Sequence, residues 1–254
     1  PSTSKVPLVK PFTPALEAAC SPDSRKPIKV ELGTLLEDAK RRDLTMNSLL
    51  KNLHTGEIYD PTGLGLGDLK NGILRTPDDP ERMIDEDPLR MLRIVRFHAR
   101  FGFRYAEGLR ELIRERAWRL EIISAERIQE EFSRMLLLRD PACAVRELRE
   151  LGLLKVFAPE LDAMHGVEQG KWHQADVFEH TMHVLNGTRA DLVLRMAALL
   201  HDVGKPETKI IKEGEIRFFS HEVVGAAITK RFLKRLRYST EFIDQVSLLV
   251  KNHM

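Results

Sequence analysis

Ile84-Asp-Glu-Asp-Pro-Leu-Arg-Met-Leu-Arg-Ile-Val-Arg-Phe-His-Ala-Arg-Phe-Gly-Phe103 is the stretch from which the rest of the chain can be read. Asp85, Glu86 and Asp87 suit the positive end of a helix dipole, and Pro88 suits a first turn, where its missing N–H has no intrahelical partner to lose. Gly102 supplies the stop. The pattern predicts one helix over 81–101. At 100° per residue, Arg90, Arg93, Arg96, Arg100 and Arg104 fall within about one third of its circumference. Met91, Ile94, Val95, His98, Ala99 and Phe101 cover most of the remainder. Asp87 lies three residues before Arg90, so a carboxylate and a guanidinium can stand side by side at the helix start. The plain alternative is a solvated basic face.

Working outward, 254 residues suffice for a sizeable core divided into two or three units. Hydrophobic content of 43% with 31% charged residues describes a globular protein. The net charge is only +2, so any affinity for nucleic acid must come from local patches. Cys20 and Cys143 are far apart and show no metal-ligand spacing, which fits a reducing cytoplasm. No apolar run is long enough for a bilayer and no charged-then-apolar leader starts the chain, so a cytoplasmic protein without a membrane partner is expected.

In chain order, six prolines within residues 1–30 break any helix, and Lys5–Lys10 could be a short strand at most. Lys29-Val-Glu-Leu-Gly33 reads as a strand. Thr34 with Glu37 forms a capping-box pattern for a helix running to about Leu53. Gly56–Thr62 reads as a hairpin or turn, Gly63-Leu-Gly-Leu-Gly67 as a flexible loop, 68–72 as a helical turn and 73–76 as a strand. After Pro80 the pattern is helical, over 81–101, 106–119, 125–138, 141–151, 176–187, 190–202, 220–236 and 241–253. A hairpin over 210–219 turns at Glu213-Gly214. The expected fold is α+β, a partial α/β head followed by a mostly helical neck, body and C-terminal domain, with boundaries 1–80, 81–170 and 171–254.

Arg41-Arg42-Asp43, with Asn47 four residues after the acid, places carboxylate and amide on one helix face. Two arginines beside an acid can hold a triphosphate while the acid accepts a sugar hydroxyl; a surface Arg–Asp pair is the alternative. In order, Ser24-Arg-Lys-Pro27, Gly33–Asn47, Asp60-Pro-Thr-Gly63, Gly67–Gly72 and Glu86–Phe97 resemble the class II tRNA nucleotidyltransferases, the CCA-adding enzymes, and the related bacterial poly(A) polymerases. The resemblance runs over about residues 24 to 254. It implies an enzyme that adds CMP and AMP to the tRNA 3′ end from CTP and ATP with Mg²⁺. Arg41, Arg42, Asp43 and Asn47 would hold ribose and triphosphate, and Asp87, Arg90 and Arg93 would select the base. A donor fork and an acceptor three residues apart can complement a Watson–Crick edge. Arg96, Arg100 and Arg104 would contact RNA, and the glycine-rich loop after Asp60 would move on switching from CTP to ATP.

Leu44 stands where the family usually has Phe, and the loop is longer than the usual double glycine. The family's two alternating aspartates and its Gly-Gly loop have no counterpart before Arg41, where the acids preceding Glu37 are Glu17, Asp23 and Glu31. Nucleotidyl transfer uses two divalent ions held by carboxylates on one face of a strand. The expectation is therefore that this chain alone does not polymerise nucleotides, and that an N-terminal portion of the enzyme is either a separate partner or lost.

Farther on, His201-Asp202 follows the apolar run Leu194–Leu200, and Val203-Gly204-Lys205-Pro206 should end the helix there. His180 precedes, and His221 and His253 follow. Imidazole and carboxylate without thiolate suit Mn²⁺, Ni²⁺, Co²⁺ or Fe²⁺ better than a structural zinc. This ordered set resembles the HD phosphohydrolase domain that many CCA-adding enzymes carry, with His201 and Asp202 as its catalytic pair; His165, His173 and His183 read as structural. A second reading makes the chain a metal-dependent phosphatase or 2′,3′-cyclic phosphodiesterase whose head only binds nucleotide or tRNA. A third makes it a tRNA-binding module.

Overall fold

A computed structural model describes residues 15–18, 29–170 and 175–254, in two compact units: the first takes in the residues to Asn71 with Arg75–Asp79, the second Gly72–Leu74 with Pro80–Met254. The short strand expected at Lys5–Lys10, the Ser24–Pro27 motif and His173 lie outside the described residues.

In the first unit β1 (Ala15–Ala18) pairs antiparallel with β2 (Lys29–Leu32), the strand expected there. The capping box forms: Thr34 Oγ1 accepts the Glu37 N–H at 3.2 Å, and Glu37 accepts the Thr34 N–H at 2.7 Å. The helix it opens, α1 (Leu35–Lys40), stops well short of Leu53. Polar side chains take over the backbone there. Asp43 Oδ1 accepts the Leu44 N–H at 2.9 Å, and the Ser48 hydroxyl donates to the Ala39 and Leu44 carbonyls, so a 3-10 turn at Thr45–Ser48 replaces the helix. Arg41-Arg42-Asp43 is consequently a turn and not a helix face.

Strands β3 (Leu50–Lys51) and β4 (Ile58–Tyr59) form the hairpin. Helix α2 (Gly65–Asn71) starts inside the glycine run read as a flexible loop. Asp60 explains this start, since its carboxylate accepts the N–H of Thr62, Gly63 and Leu66, the last in the helix's first turn. Gly65 is required there, because a Cβ would lie 2.6 Å from the Thr45 carbonyl oxygen.

The second unit opens with β5 (Ile73–Leu74), parallel to β6 (Arg104–Tyr105). The helix expected over 81–101 is two, α3 (Pro80–Glu86) and α4 (Leu89–Phe101). Pro88 lacks an N–H and disfavours helical dihedrals at Asp87, so the break falls at the motif itself. Gly102 closes α4 at φ +68°. Next come α5 (Leu109–Arg116), a 3-10 stretch at Ala117–Ile122, α6 (Ala125–Leu136), α7 (Pro141–Glu150), α8 (Leu153–Phe157) and α9 (Pro159–Asp162). Met91, Leu92, Ile94 and Val95 of α4 are buried where it packs on α6 and α7. Each such side chain contributes about 1.5–3 kcal/mol.

The arginine ridge of α4 is partly an interior face. Arg96 is 7% exposed and its Nε donates to Glu131 of α6 at 2.7 Å, so it holds the helices together and is not on an RNA-facing surface. Arg100 and Arg104 are exposed, the latter past the helix end in β6.

The C-terminal part comprises α10 (Val177–Gly187), α11 (Leu192–Leu200), α12 (Lys205–Thr208), the hairpin β7 (Lys209–Lys212) and β8 (Glu215–Phe218), α13 (His221–Arg235) and α14 (Thr240–Lys251). It lies in the same compact unit as α3–α9. Buried Arg195 of α11 is one reason. Its guanidinium donates to the Leu136 and Leu138 carbonyls at 2.5 and 2.6 Å, satisfying the end of α6. Among the described residues no helix is long and apolar enough to cross a membrane.

Candidate functional site

The first unit brings Asp43 and Asn47 together: the Asn47 amide donates to Asp43 Oδ1 at 2.8 Å. The expected i, i+4 contact thus survives the loss of the helix, because the turn and the 3-10 segment bring the two residues into reach. Arg42 pairs with Asp38 at 2.8 Å, and Arg41 is the residue that caps α1. Thr45, Asp68 and Arg75, which sequence reasoning passed over, brace the turn from behind. Thr45 Oγ1 donates to Asp68 at 2.7 Å, Arg75 Nε donates to the same buried carboxylate, and the Thr45 N–H donates to the Arg75 carbonyl at 2.9 Å. Leu44, at the position the resemblance reserves for Phe, is fully buried. Burial pushes the Asp60 carboxyl up, but its backbone and Thr62 hydrogen bonds outweigh this and hold it below the usual range.

In the second unit Asp87 sits in the break between α3 and α4. Arg127 of α6 forks onto it, with Nη1 3.1 Å from Oδ1 and Nη2 2.7 Å from Oδ2. A carboxylate offers about four acceptor positions, so this fork orients the acid without exhausting it. Forty residues separate the pair, and no local signal could have disclosed it. Arg90 is half-buried, its Nη1 donating to the Met83 carbonyl at 2.8 Å, with Glu86 3.6 Å away. Arg93 is half-buried on α4.

The C-terminal helices gather the five residues expected as metal ligands. Asp202, 2% exposed, is the centre. Its Oδ2 lies 3.0 Å from His201 Nε2 and 3.6 Å from His180 Nε2; its Oδ1 lies 3.5 Å from His221 Nε2 and 3.8 Å from His253 Nε2. Three of the rings are locked from behind. The Nδ1 atoms of His201, His221 and His253 lie 2.8, 3.0 and 2.7 Å from the carbonyls of Ala198, Phe218 and Val250. A carbonyl only accepts, so each Nδ1 carries the proton and each Nε2 presents a lone pair inward, as a metal ligand requires.

Gly204 does not end α11 by a left-handed turn, since its φ is −81°. It instead lets α13 come close, because a Cβ there would lie 2.2 Å from the His221 carbonyl oxygen. Nor does Pro206 stop helical structure: it sits in the first turn of α12. Lys205, three residues after Asp202, reaches Asp202 Oδ2 at 2.7 Å and Gln169 Oε1 at 2.6 Å; its spacing could have been read from sequence. Burial pushes the Asp202 carboxyl up, yet the hydrogen bond and charge of Lys205, with the polar His201 ring beside it, outweigh it and hold the group well below the usual carboxylate range.

Residues 13–75 match the family model described as "Poly A polymerase head domain", residues 102–164 the one described as "Probable RNA and SrmB-binding site of polymerase A", and residues 173–254 the HD domain. The chain is similar to the CCA-adding enzyme of Bacillus stearothermophilus in complex with CTP, at 27% identity and a TM-score of 0.62, over 86% of this chain and 47% of that one. A tRNA-processing enzyme complex matches at 20% identity and a TM-score of 0.57, over 87% and 55%. A CCA-adding enzyme with ATP matches at 21% and 0.55, over 83% and 46%. The last two likenesses concern the fold. The chain spans about half the length of these relatives. Along the chain the matches run in the order poly A polymerase head, RNA-binding segment and HD domain, an order consistent with a class II tRNA nucleotidyltransferase that carries an HD domain.

Proposed function

We propose that this chain selects and holds CTP and ATP and engages tRNA for CCA-type nucleotidyl transfer, and that its HD domain holds a divalent metal for phosphate-ester hydrolysis. The observation that carries the first part is the order of Arg41-Arg42-Asp43 and Glu86-Asp87-Pro-Leu-Arg90 in a chain similar to a CTP-bound CCA-adding enzyme. Arg41 and Arg42 hold the triphosphate by charge-assisted hydrogen bonds, and Asp43, steadied by Asn47, takes a ribose hydroxyl. Asp87 accepts from the base edge and Arg90 donates to it, with Arg93 beside them on α4. Arg127 fixes the Asp87 carboxylate, which lowers the entropy lost on binding. Arg100 and Arg104 are the exposed cations suited to tRNA phosphates.

Nucleotidyl transfer itself uses Mg²⁺, and the acids before Arg41 do not fit it: Glu17, Asp23, Glu31, Glu37 and Asp38 include no alternating pair of aspartates. No step through that ion is assigned to these residues. Binding is therefore the property to measure on this chain. Arg42→Ala should weaken CTP and ATP equally, by about 1.5–3 kcal/mol for a lost charged hydrogen bond, because a phosphate contact carries no base information. A loss confined to one nucleotide, measured by equilibrium dialysis, would count against the assignment.

At the HD site, His180, His201 and Asp202 lie close enough together to hold a divalent ion, and so do Asp202, His221 and His253. Such an ion, when bound, polarises a phosphate ester and makes its water acidic. Asp202 and the imidazoles hold position, and Lys205 tethers Asp202 to Gln169. The double substitution His201→Ala, Asp202→Ala should abolish both bound Mn²⁺ or Ni²⁺ and hydrolysis of a 2′,3′-cyclic nucleotide. Unchanged metal content in that variant would refute the metal site.

A further inference from the structure

Resting on the reading that this chain engages tRNA beside its base-selecting residues, we infer that Trp118 is a stacking platform for an unpaired base at the 3′ end of that RNA. The 3-10 stretch at Ala117–Ile122 turns once every three residues, so its side chains fall into three files. Ala117 and Leu120 make the buried file. Arg119 shares the second with Ile122 and reaches α3, where its Nη2 donates to the Asp85 carbonyl at 2.9 Å and its Nε lies 3.0 Å from Asp85 Oδ1. Trp118 and Glu121 make the third and are exposed. Trp118 keeps 57% of its surface in water. The Arg119 guanidinium carbon lies 5.5 Å from the Trp118 ring centroid, and its two contacts with Asp85 hold it there, so the indole is oriented from one side. An aromatic ring left in water beside a guanidinium is the kind of surface on which the bases of single-stranded RNA stack.

The place of the ring says which base. Asp85 stands two residues before Asp87, the acid proposed to accept from the incoming nucleotide. Arg127 forks onto Asp87, Arg119 grips Asp85, and Arg116 pairs with both Glu81 and Asp85. These contacts lay the 3-10 stretch along α3 and leave Trp118 one arginine away from the α3–α4 break. They also pair the acids of α3, so a polyanion approaching this side meets carboxylates that already carry partners. Trp118 lies inside the RNA-binding segment, residues 102–164. Asp87 and Arg90 read a base by its edge, whereas an indole offers a π-face that suits every base. The platform therefore steadies the end of the RNA next to the incoming nucleotide without selecting its sequence.

The test uses the full chain with three probes: an RNA hairpin ending in unpaired cytidines, the same hairpin ending blunt, and CTP. In a Trp172→Phe background Trp118 is the single tryptophan. The tailed hairpin should quench its emission, and neither the blunt hairpin nor CTP should. In the otherwise unaltered chain, Trp118→Ala should weaken the tailed hairpin about tenfold, within the worth of one base–aromatic stack. It should leave the blunt hairpin and CTP unchanged, and Trp118→Phe, which keeps a ring, should recover most of the loss. Melting temperatures of the variants are the folding control. Unchanged affinity for the tailed hairpin, or an equal loss for the blunt one or for CTP, overturns the platform and leaves tRNA engagement standing. A parent chain that binds neither hairpin overturns both. An emission change that follows protein concentration and not RNA marks a protein contact, and overturns the platform too.

Discussion

Single side chains in this protein act mainly by fixing other side chains. Arg127 fixes Asp87, Asn47 fixes Asp43, and backbone carbonyls fix three histidines of the HD cluster. Tyr238 shows how such fixing couples to pH. It is 7% exposed, its hydroxyl is 2.7 Å from Ser133 Oγ of α6, and burial pushes its phenol up to about 12. A group whose folded pKa is raised contributes stability fully below its unfolded pKa, near 10, and loses it as pH rises through 12. Parent protein should exceed Tyr238→Phe by about 1 kcal/mol at pH 8, the worth of one hydrogen bond. That advantage should shrink by about 2 kcal/mol between pH 10 and 12 and reverse. Urea midpoints across the range decide it, and a constant difference would contradict the burial argument.

At the scale of elements, what the sequence discloses is whatever is settled within a few residues. The Thr34–Glu37 capping box, the stop at Gly102 and the hairpin turning at Glu213-Gly214 all depend on near neighbours, and all form. The end of α1 was not legible, because Asp43 and Ser48 compete for backbone groups that a helical pattern assigns to the helix. The division at Pro88 was open to reading, since a proline constrains the residue before it, but the acids around it suited a helix start equally well. Gly204 was misread for a similar reason: its role depends on α13, which the sequence cannot place. Gly204→Ala should cost about 1–3 kcal/mol, since the new Cβ meets the backbone of His221 and Gly225 and not a flexible side chain. Gly187→Ala, where a Cβ meets nothing within 4 Å, is the control and should be neutral or stabilising. Equal denaturant midpoints for the two variants would contradict the close packing of α12 and α13.

On the scale of the whole molecule, the order of motifs was readable from end to end, and three family models follow the same order. The packing that joins the neck, body and HD helices within one compact unit rests on contacts far apart in the sequence. Arg195 contributes to that unity through carbonyls 59 and 57 residues away, a contact without a local signature. The proposed base reading falls to Asp87 and Arg90. Its most direct test is the set of dissociation constants for CTP, ATP, GTP and UTP, measured on the parent chain and on Arg90→Ala. CTP and ATP should bind more tightly than GTP and UTP in the parent, and Arg90→Ala should reduce that discrimination by about 1–3 kcal/mol, the worth of one bidentate base contact. Equal affinity for all four nucleotides in the parent, or undiminished discrimination in the variant, would contradict it.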